Sequence, residues 1–209
     1  MDRWFVLSAK GAAGVAVYSV AAYMGTMIVI FPNQLSSLFS QYGREYLAQG
    51  NDKSQMMDLF FTFTLILVAC CSIFSCLVLH LGYVLIEKIW QNYIDSLVLL
   101  PGIAMLSLLR ISISNFNWAF IIADRKRYTV MANVSGLVLT VICCACALEI
   151  FDYGLAGVIW AMNVAAILQL IFMIIVGEKG FGLDKKKLSG FLLILGFTLW
   201  VLLQGYSSL

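Results

Sequence analysis

The sequence has few charged residues and little proline or histidine. Only 11% of its 209 residues are charged, and it contains two prolines and one histidine. Soluble domains carry about 25% charged residues, so this chain has too few charges to cover a globular surface in water. A nucleic-acid-binding module would gather its basic residues on such a soluble face. The composition therefore excludes an ordinary soluble domain, and we expect no nucleic-acid partner.

Motifs that carry chemistry are also missing from the sequence. The acidic residues lie at or near the ends of the predicted helices, so no pair of buried carboxylates is available for acid–base catalysis or ion coupling. The chain has neither a nucleotide-binding loop nor a histidine-rich metal motif. We therefore expect neither an enzyme nor a cofactor.

The six cysteines do not follow a metal-binding pattern. A zinc site is typically built from two Cys-x-x-Cys pairs. The cysteines instead form two clusters, each inside an apolar run: Cys70, Cys71, Cys76, Cys143, Cys144 and Cys146. We expect them to be small membrane-embedded residues that form no disulfide and bind no metal.

Apolar residues are abundant, at 62% of the chain. A membrane-spanning helix needs about 20 of them, and the apolar runs, separated by charges and turn residues, predict one all-α integral membrane domain over residues 1–209. The six predicted helices cover residues of about 11–31, 58–86, 94–122, 128–151, 154–176 and 188–203. Pro32 is expected to kink the first helix into an amphipathic extension, and Pro101 falls inside the third.

Lysine and arginine are distributed unequally between alternate loops. One side has three, namely Arg3, Lys10 and Lys88. The other side has nine, namely Arg44, Lys53, Arg125, Lys126, Arg127, Lys179, Lys185, Lys186 and Lys187. The richer side is predicted to be cytoplasmic, where its basic turn can also meet anionic membrane lipids. With six spans both termini would lie outside, which predicts a missing upstream span.

Arg110 lies near the middle of the third predicted helix. A charge at that depth costs roughly 2.5–3.5 kcal/mol, so the folded protein must solvate it. Ser107, Ser114 and Asn117 share its helical face, and Asn133 on the fourth helix is a further candidate. Two interpretations stay open: these residues line a water-filled cavity that binds an anionic substrate, or the arginine pairs with a neighbour or reaches a membrane surface.

Three segments in order resemble the second half of polysaccharide flippases, the O-antigen and teichuronic-acid type transporters of the MOP exporter superfamily. Residues 16–55 are similar to that family's helix, proline and amphipathic extension, and residues 99–141 to its helix, short turn and helix. Residues 150–172 are similar to its Tyr-Gly-x-x-Gly-Ala segment, with Val158 in place of the small residue. The resemblance covers about residues 14–176.

The resemblance implies a bundle of about six transmembrane helices, one lobe of two that surround a central cavity. It implies a multi-pass protein of the cytoplasmic (inner) membrane that flips a lipid-diphosphate-linked oligosaccharide during polysaccharide biosynthesis, as in O-antigen and lipopolysaccharide assembly. Arg110 would attract the diphosphate. The chain matches the second lobe without its first helix, so a separate first-lobe chain is a possible partner.

Two alternatives remain from the sequence. A multidrug exporter of the same superfamily would need acidic or aromatic cavity residues, and Arg110 argues against it. A non-transporting membrane partner, or the remnant of a larger gene, would carry the same helices without a working site. Neither alternative changes the predicted fold.

Overall fold

The helices of the chain follow one another with short turns between them. A computed structural model describes residues 2–50, 53–149 and 154–181, together with residues 189, 190, 192, 193, 196 and 198. This part of the chain is all helix and turn and contains no strand. Its elements are α1 (Asp2–Ala48), α2 (Lys53–Lys88), a 3₁₀ helix (Gln91–Leu99), α3 (Leu100–Ile122), α4 (Lys126–Glu149) and α5 (Gly154–Phe181).

Five helical stretches in the described ranges are long and apolar enough to cross a membrane. They are Gly11–Ala48, Asp58–Lys88, Gln91–Ile122, Lys126–Leu148 and Gly154–Val176. The first five predicted helices are thus confirmed, and the chain is a multi-pass membrane protein. Most of the predicted sixth, at 188–203, lies outside the described residues. Within it, Thr198 Oγ1 donates a hydrogen bond to Ser72 Oγ on α2 (2.8 Å).

Helix α1 is longer than a membrane is thick. From Gly11 to Ala48 it has 38 residues, which at 1.5 Å per residue is about 57 Å against a hydrocarbon core of about 30 Å. The predicted amphipathic extension is therefore helical, as expected. The backbone leaves helical geometry at Gly11 (φ 64°, ψ −162°) and not at Pro32, through which the helix continues.

Pro101 lies inside the third span, Gln91–Ile122, as predicted. It occupies the first turn of α3, directly after the 3₁₀ helix. A proline lacks a backbone N–H, and in the first turn of a helix that N–H has no intrahelical partner anyway. Pro101 therefore marks the change from 3₁₀ to α-helix within the third span.

Helix α3 is the centre of the bundle. It packs against α1, α2, α4 and α5, and residues 99–109 are all buried. In its most apolar stretch 83% of the residues are buried, compared with 22% for α4. Because α4 packs mainly on α5, it leaves space between itself and α3.

The side of α3 that faces α1 and α5 is tightly packed, and we call it the closed side. Ser107 Oγ lies 3.2 Å from the carbonyl oxygen of Gly25 in α1. Asn163 Nδ2 in α5 donates to the carbonyl of Gly102 at 2.9 Å. A Cβ placed on Gly102 would lie only 2.7 Å from Cγ2 of Ile159. Gly25 and Gly102 thus allow α1 and α5 to approach α3 closely, as small residues do in membrane proteins.

A short turn connects α3 to α4 at the basic end of the bundle. Asp124 adopts a left-handed conformation (φ 58°), and the Arg125 N–H donates to the carbonyl of Phe120 at 2.8 Å. This is the hydrogen bond of a Schellman C-cap. The Arg44 guanidinium lies 6.0 Å from the centre of the Trp118 ring. The end of α1 and the end of α3, both predicted to be cytoplasmic, therefore lie at the same end of the molecule.

Candidate functional site

An open cavity of about 470 Å³ lies between α3 and α4, with α5 as its floor. Its apolar lining includes Leu106, Ile113, Leu137 and Met162. Its polar lining consists of Arg110, Ser114, Asn117, Asn133, Thr140 and Gln169. The cavity exists because α4 packs on α5 and diverges from α3.

Arg110 is the cation of this cavity. Its neighbours Leu109 and Ile111 are buried, whereas the Arg110 side chain is exposed and lines the cavity. It lies near the middle of α3, so its charge falls at the depth where burial in lipid is most costly. Water in the cavity can solvate the guanidinium, which fits the first interpretation of the sequence.

The structure brings together four of the five candidate residues. Arg110, Ser114 and Asn117 line the cavity from α3, and Asn133 joins them from α4. Ser107 does not line it: its side chain is buried at 7% exposure, and its hydroxyl lies within hydrogen-bonding distance of the Ile103 carbonyl (2.9 Å) as well as of α1. Ser107 is at the edge of the shared face, where α1 comes close, so it contributes to helix packing.

A hydrogen bond between two amides connects the walls of the cavity. Asn117 Nδ2 donates to Asn133 Oδ1 at 3.1 Å, which joins α3 to α4. The Asn117 Oδ1 atom is buried and has no hydrogen-bond partner among the described residues. The pair therefore fixes Asn117 and leaves an acceptor oxygen unused.

Gln169 is a cavity residue that the sequence reasoning missed. Its Nε2 donates to the Ala132 carbonyl of α4 at 3.0 Å. Its amide lies where a side chain on Gly136 would otherwise be, since a Cβ there would overlap the Gln169 amide. A single glutamine within an apolar run was the available signal, and the pairing with Gly136 became visible only in the fold.

Ser114 differs from most hydroxyl side chains of the bundle. In an apolar helix a serine or threonine commonly donates to the carbonyl four residues earlier. Ser36, Thr64, Ser75, Ser112 and Thr140 all lie within hydrogen-bonding distance of that carbonyl. Ser114 makes no side-chain hydrogen bond within the part of the chain that the structure describes. Its hydroxyl is therefore available to a molecule in the cavity.

The cavity combines one cation with neutral polar groups. No aspartate or glutamate is among the described residues that line it, and the described ranges hold no group of His, Cys, Asp and Glu suited to a metal ion. The six cysteines are unbridged and lie on α2 and α4. Such a cavity can bind an anion through charge and its attached groups through hydrogen bonds.

No family model, curated protein or solved structure matched this chain when it was compared with them. The flippase resemblance therefore rests on the sequence segments given above, and the geometry of the cavity carries the functional argument.

Proposed function

We propose that this chain is part of a transporter that flips a lipid-diphosphate-linked oligosaccharide across the cytoplasmic membrane during polysaccharide biosynthesis. The observation that carries the proposal is the position of Arg110, whose side chain lines an open cavity midway along the central helix α3. Ionisable residues within membrane spans are rare, face the bundle interior or a water-filled cavity, and mark substrate or ion pathways.

The chemistry of the cavity favours an anionic substrate. The planar guanidinium can donate two parallel hydrogen bonds to phosphate oxygens, and the interaction is stronger in a cavity of low dielectric than in bulk water. A multidrug exporter of the same superfamily would need acidic or aromatic residues in this cavity to bind cations. The described lining residues include neither, which disfavours that alternative.

The neutral part of the cavity suits a sugar. The Ser114 hydroxyl and the amides of Asn117 and Asn133 offer donors and acceptors to hydroxyl groups. In transporters built from two lobes, a fixed site between them opens to each side of the membrane in turn. Rocking of this bundle against a complementary lobe would carry the substrate head group across.

Binding to the purified chain in lipid nanodiscs tests the proposal, with a polyprenyl diphosphate as the probe. We expect Arg110→Ala to weaken binding by about tenfold or more, since a charge-assisted hydrogen bond contributes about 1.5–3 kcal/mol. Arg110→Lys keeps the charge without the planar fork, so its affinity should be intermediate. Arg44→Ala is the matched control, because it removes an arginine that lies over Trp118 outside the cavity lining.

Equal affinity of wild type and Arg110→Ala would overturn the proposal. So would equal losses in Arg110→Ala and Arg44→Ala, because the effect would then follow total charge and not the cavity. Membrane levels of all variants should be similar, since loss of the Arg110 charge removes an ion that is costly within the membrane.

A further inference from the structure

Four neutral side chains beside Arg110 form a polar wall, which we define as Ser114, Asn117, Asn133 and Gln169. They come from three helices, since Ser114 and Asn117 belong to α3, Asn133 to α4 and Gln169 to α5. Polar side chains in an apolar bundle are usually satisfied by a neighbouring helix or by their own backbone. Each residue of this wall keeps at least one polar atom that makes no hydrogen bond to the described residues.

The hydrogen bonds between the helices determine which polar atoms of the wall are left without a partner among the described residues. The Ala132 carbonyl can only accept, so the NH₂ group of Gln169 must face it and the Gln169 Oε1 is left unused. In the Asn117–Asn133 pair the NH₂ of Asn117 is used, and its Oδ1 is left buried without a partner in the described structure. The Asn117 oxygen has almost no accessible surface, so the groups that the wall offers to a ligand are the Gln169 Oε1 and the Ser114 hydroxyl.

The polar wall extends along α3 away from the cation. Along α3, Ser114 is four residues and Asn117 seven residues beyond Arg110, which is about 6 Å and about 10 Å at 1.5 Å per residue. Both lie toward the basic end of the bundle, where the α3–α4 turn is found. A ligand that reaches from the guanidinium to the wall must therefore extend beyond its phosphate groups.

We propose that the polar wall distinguishes a loaded lipid carrier from an empty one. Ser114 and Gln169 accept hydrogen bonds from O–H or N–H groups of the first sugar, while Arg110 binds the diphosphate that both forms share. A bare lipid diphosphate has no sugar to donate these hydrogen bonds, so it lacks their contribution to affinity. This inference rests on the proposed function and adds the specificity of the same cavity.

Two probes that differ by one sugar test the inference. They are a polyprenyl diphosphate and the same lipid carrying one N-acetylhexosamine, which has both O–H and N–H donors. Affinities are measured on the full chain in nanodiscs by calorimetry. We expect wild type to bind the glycosylated probe about tenfold more tightly, which is the effect of one well-formed hydrogen bond to a buried group.

Ser114→Ala and Gln169→Leu remove these polar groups with little change in side-chain volume. In each variant we expect the preference for the glycosylated probe to fall to within about twofold. The two substitutions lie on different helices, so one tests the inference if the other fails to insert. Ser107→Ala is the control, because Ser107 is polar and on α3 but outside the cavity lining.

The outcomes separate the inference from the proposed function. If wild type binds both probes equally and still depends on Arg110, the inference is overturned and the proposed function stands. If both variants retain the tenfold preference, the wall is not the specificity element. If wild type binds neither probe, both the inference and the proposed function are wrong.

Discussion

The two sides of α3 use the same kinds of residue for different purposes. On the closed side, Ser107 and Asn163 form hydrogen bonds to backbone atoms of a neighbouring helix. On the side facing α4, Ser114 makes no side-chain hydrogen bond to the described residues, and Asn117 keeps an unpaired oxygen. The difference follows from helix separation, since α1 and α5 approach α3 closely and α4 does not.

Glycine determines that separation on the closed side. Gly102 lies against Ile159, and Gly25 lies against Ile103 and Ser107. On the cavity side, Gly136 lies against the end of the flexible Gln169 side chain. Glycine therefore allows close contact between helices on the closed side, and on the cavity side it leaves room for the flexible amide of Gln169. Substituting each glycine by alanine distinguishes these roles.

We expect the largest effect from Gly102→Ala. The new methyl group would lie 2.7 Å from Cγ2 of Ile159, and a β-branched side chain in a helix has essentially one χ1 rotamer and cannot move aside. Overpacking of this kind costs about 1–3 kcal/mol. The free energy of unfolding, measured by denaturant titration in mixed micelles, should fall by that amount.

Gly196→Ala is the matched control for that experiment. No atom of the described residues lies within 4 Å of a Cβ built on Gly196, so the substitution should be neutral or stabilise its helix by up to about 1 kcal/mol. If Gly102→Ala were as stable as this control, α3 and α5 would not be in close contact, and the distinction between a closed and an open side would be lost.

The sequence predicts the helices of this fold better than their contacts. The five spans follow from the apolar runs, and the position of Arg110 at a cavity follows from the cost of placing a charge inside a membrane. Both predictions depend on the free energy of transfer from water to lipid. Ser107 was predicted to line the cavity because helical spacing shows which residues share a helix face. The spacing does not show which neighbouring helix covers that face. Pro101 lies inside the third span as predicted, but its position at a change from 3₁₀ to α-helix was not predicted. Gln169 could not be identified as a cavity residue from the sequence, because its position depends on the packing of α5 against α4.

Ser107→Ala and Ser114→Ala make a direct comparison of the two sides. Both substitutions change serine to alanine within α3, so their effects on helix propensity are similar and cancel in the difference. Of the two, Ser107 has a hydrogen-bond partner on another described helix, the Gly25 carbonyl, and Ser114 has none among the described residues. Hydrogen bonds between membrane helices contribute about 0.6 kcal/mol on average, so Ser107→Ala should be less stable than Ser114→Ala by that amount.

The same denaturant titration measures this difference. A Ser114→Ala variant that is the less stable of the two would mean that Ser114 supports packing, and the cavity would then have one fewer residue available to a ligand. The membrane level of each variant should equal that of wild type, since the expected difference in stability is small.

Gly136→Ala should have the smallest effect on stability and a selective effect on binding. A Cβ on Gly136 would overlap the Gln169 amide, but that amide is at the end of three rotatable bonds and can turn into the cavity. The cost is then the hydrogen bond to the Ala132 carbonyl, about 0.6 kcal/mol, and it is offset by the better helix propensity of alanine. We expect the free energy of unfolding to stay within about 0.5 kcal/mol of wild type. The preference for a glycosylated over a bare lipid diphosphate should nevertheless fall severalfold, because the Gln169 oxygen no longer has a fixed position.

A loss of stability as large as that of Gly102→Ala would show that α4 and α5 tolerate no movement here and that the cavity side is packed as rigidly as the closed side. Unchanged stability with unchanged preference would remove Gln169 from the polar wall and leave Ser114 as the residue that contacts the sugar.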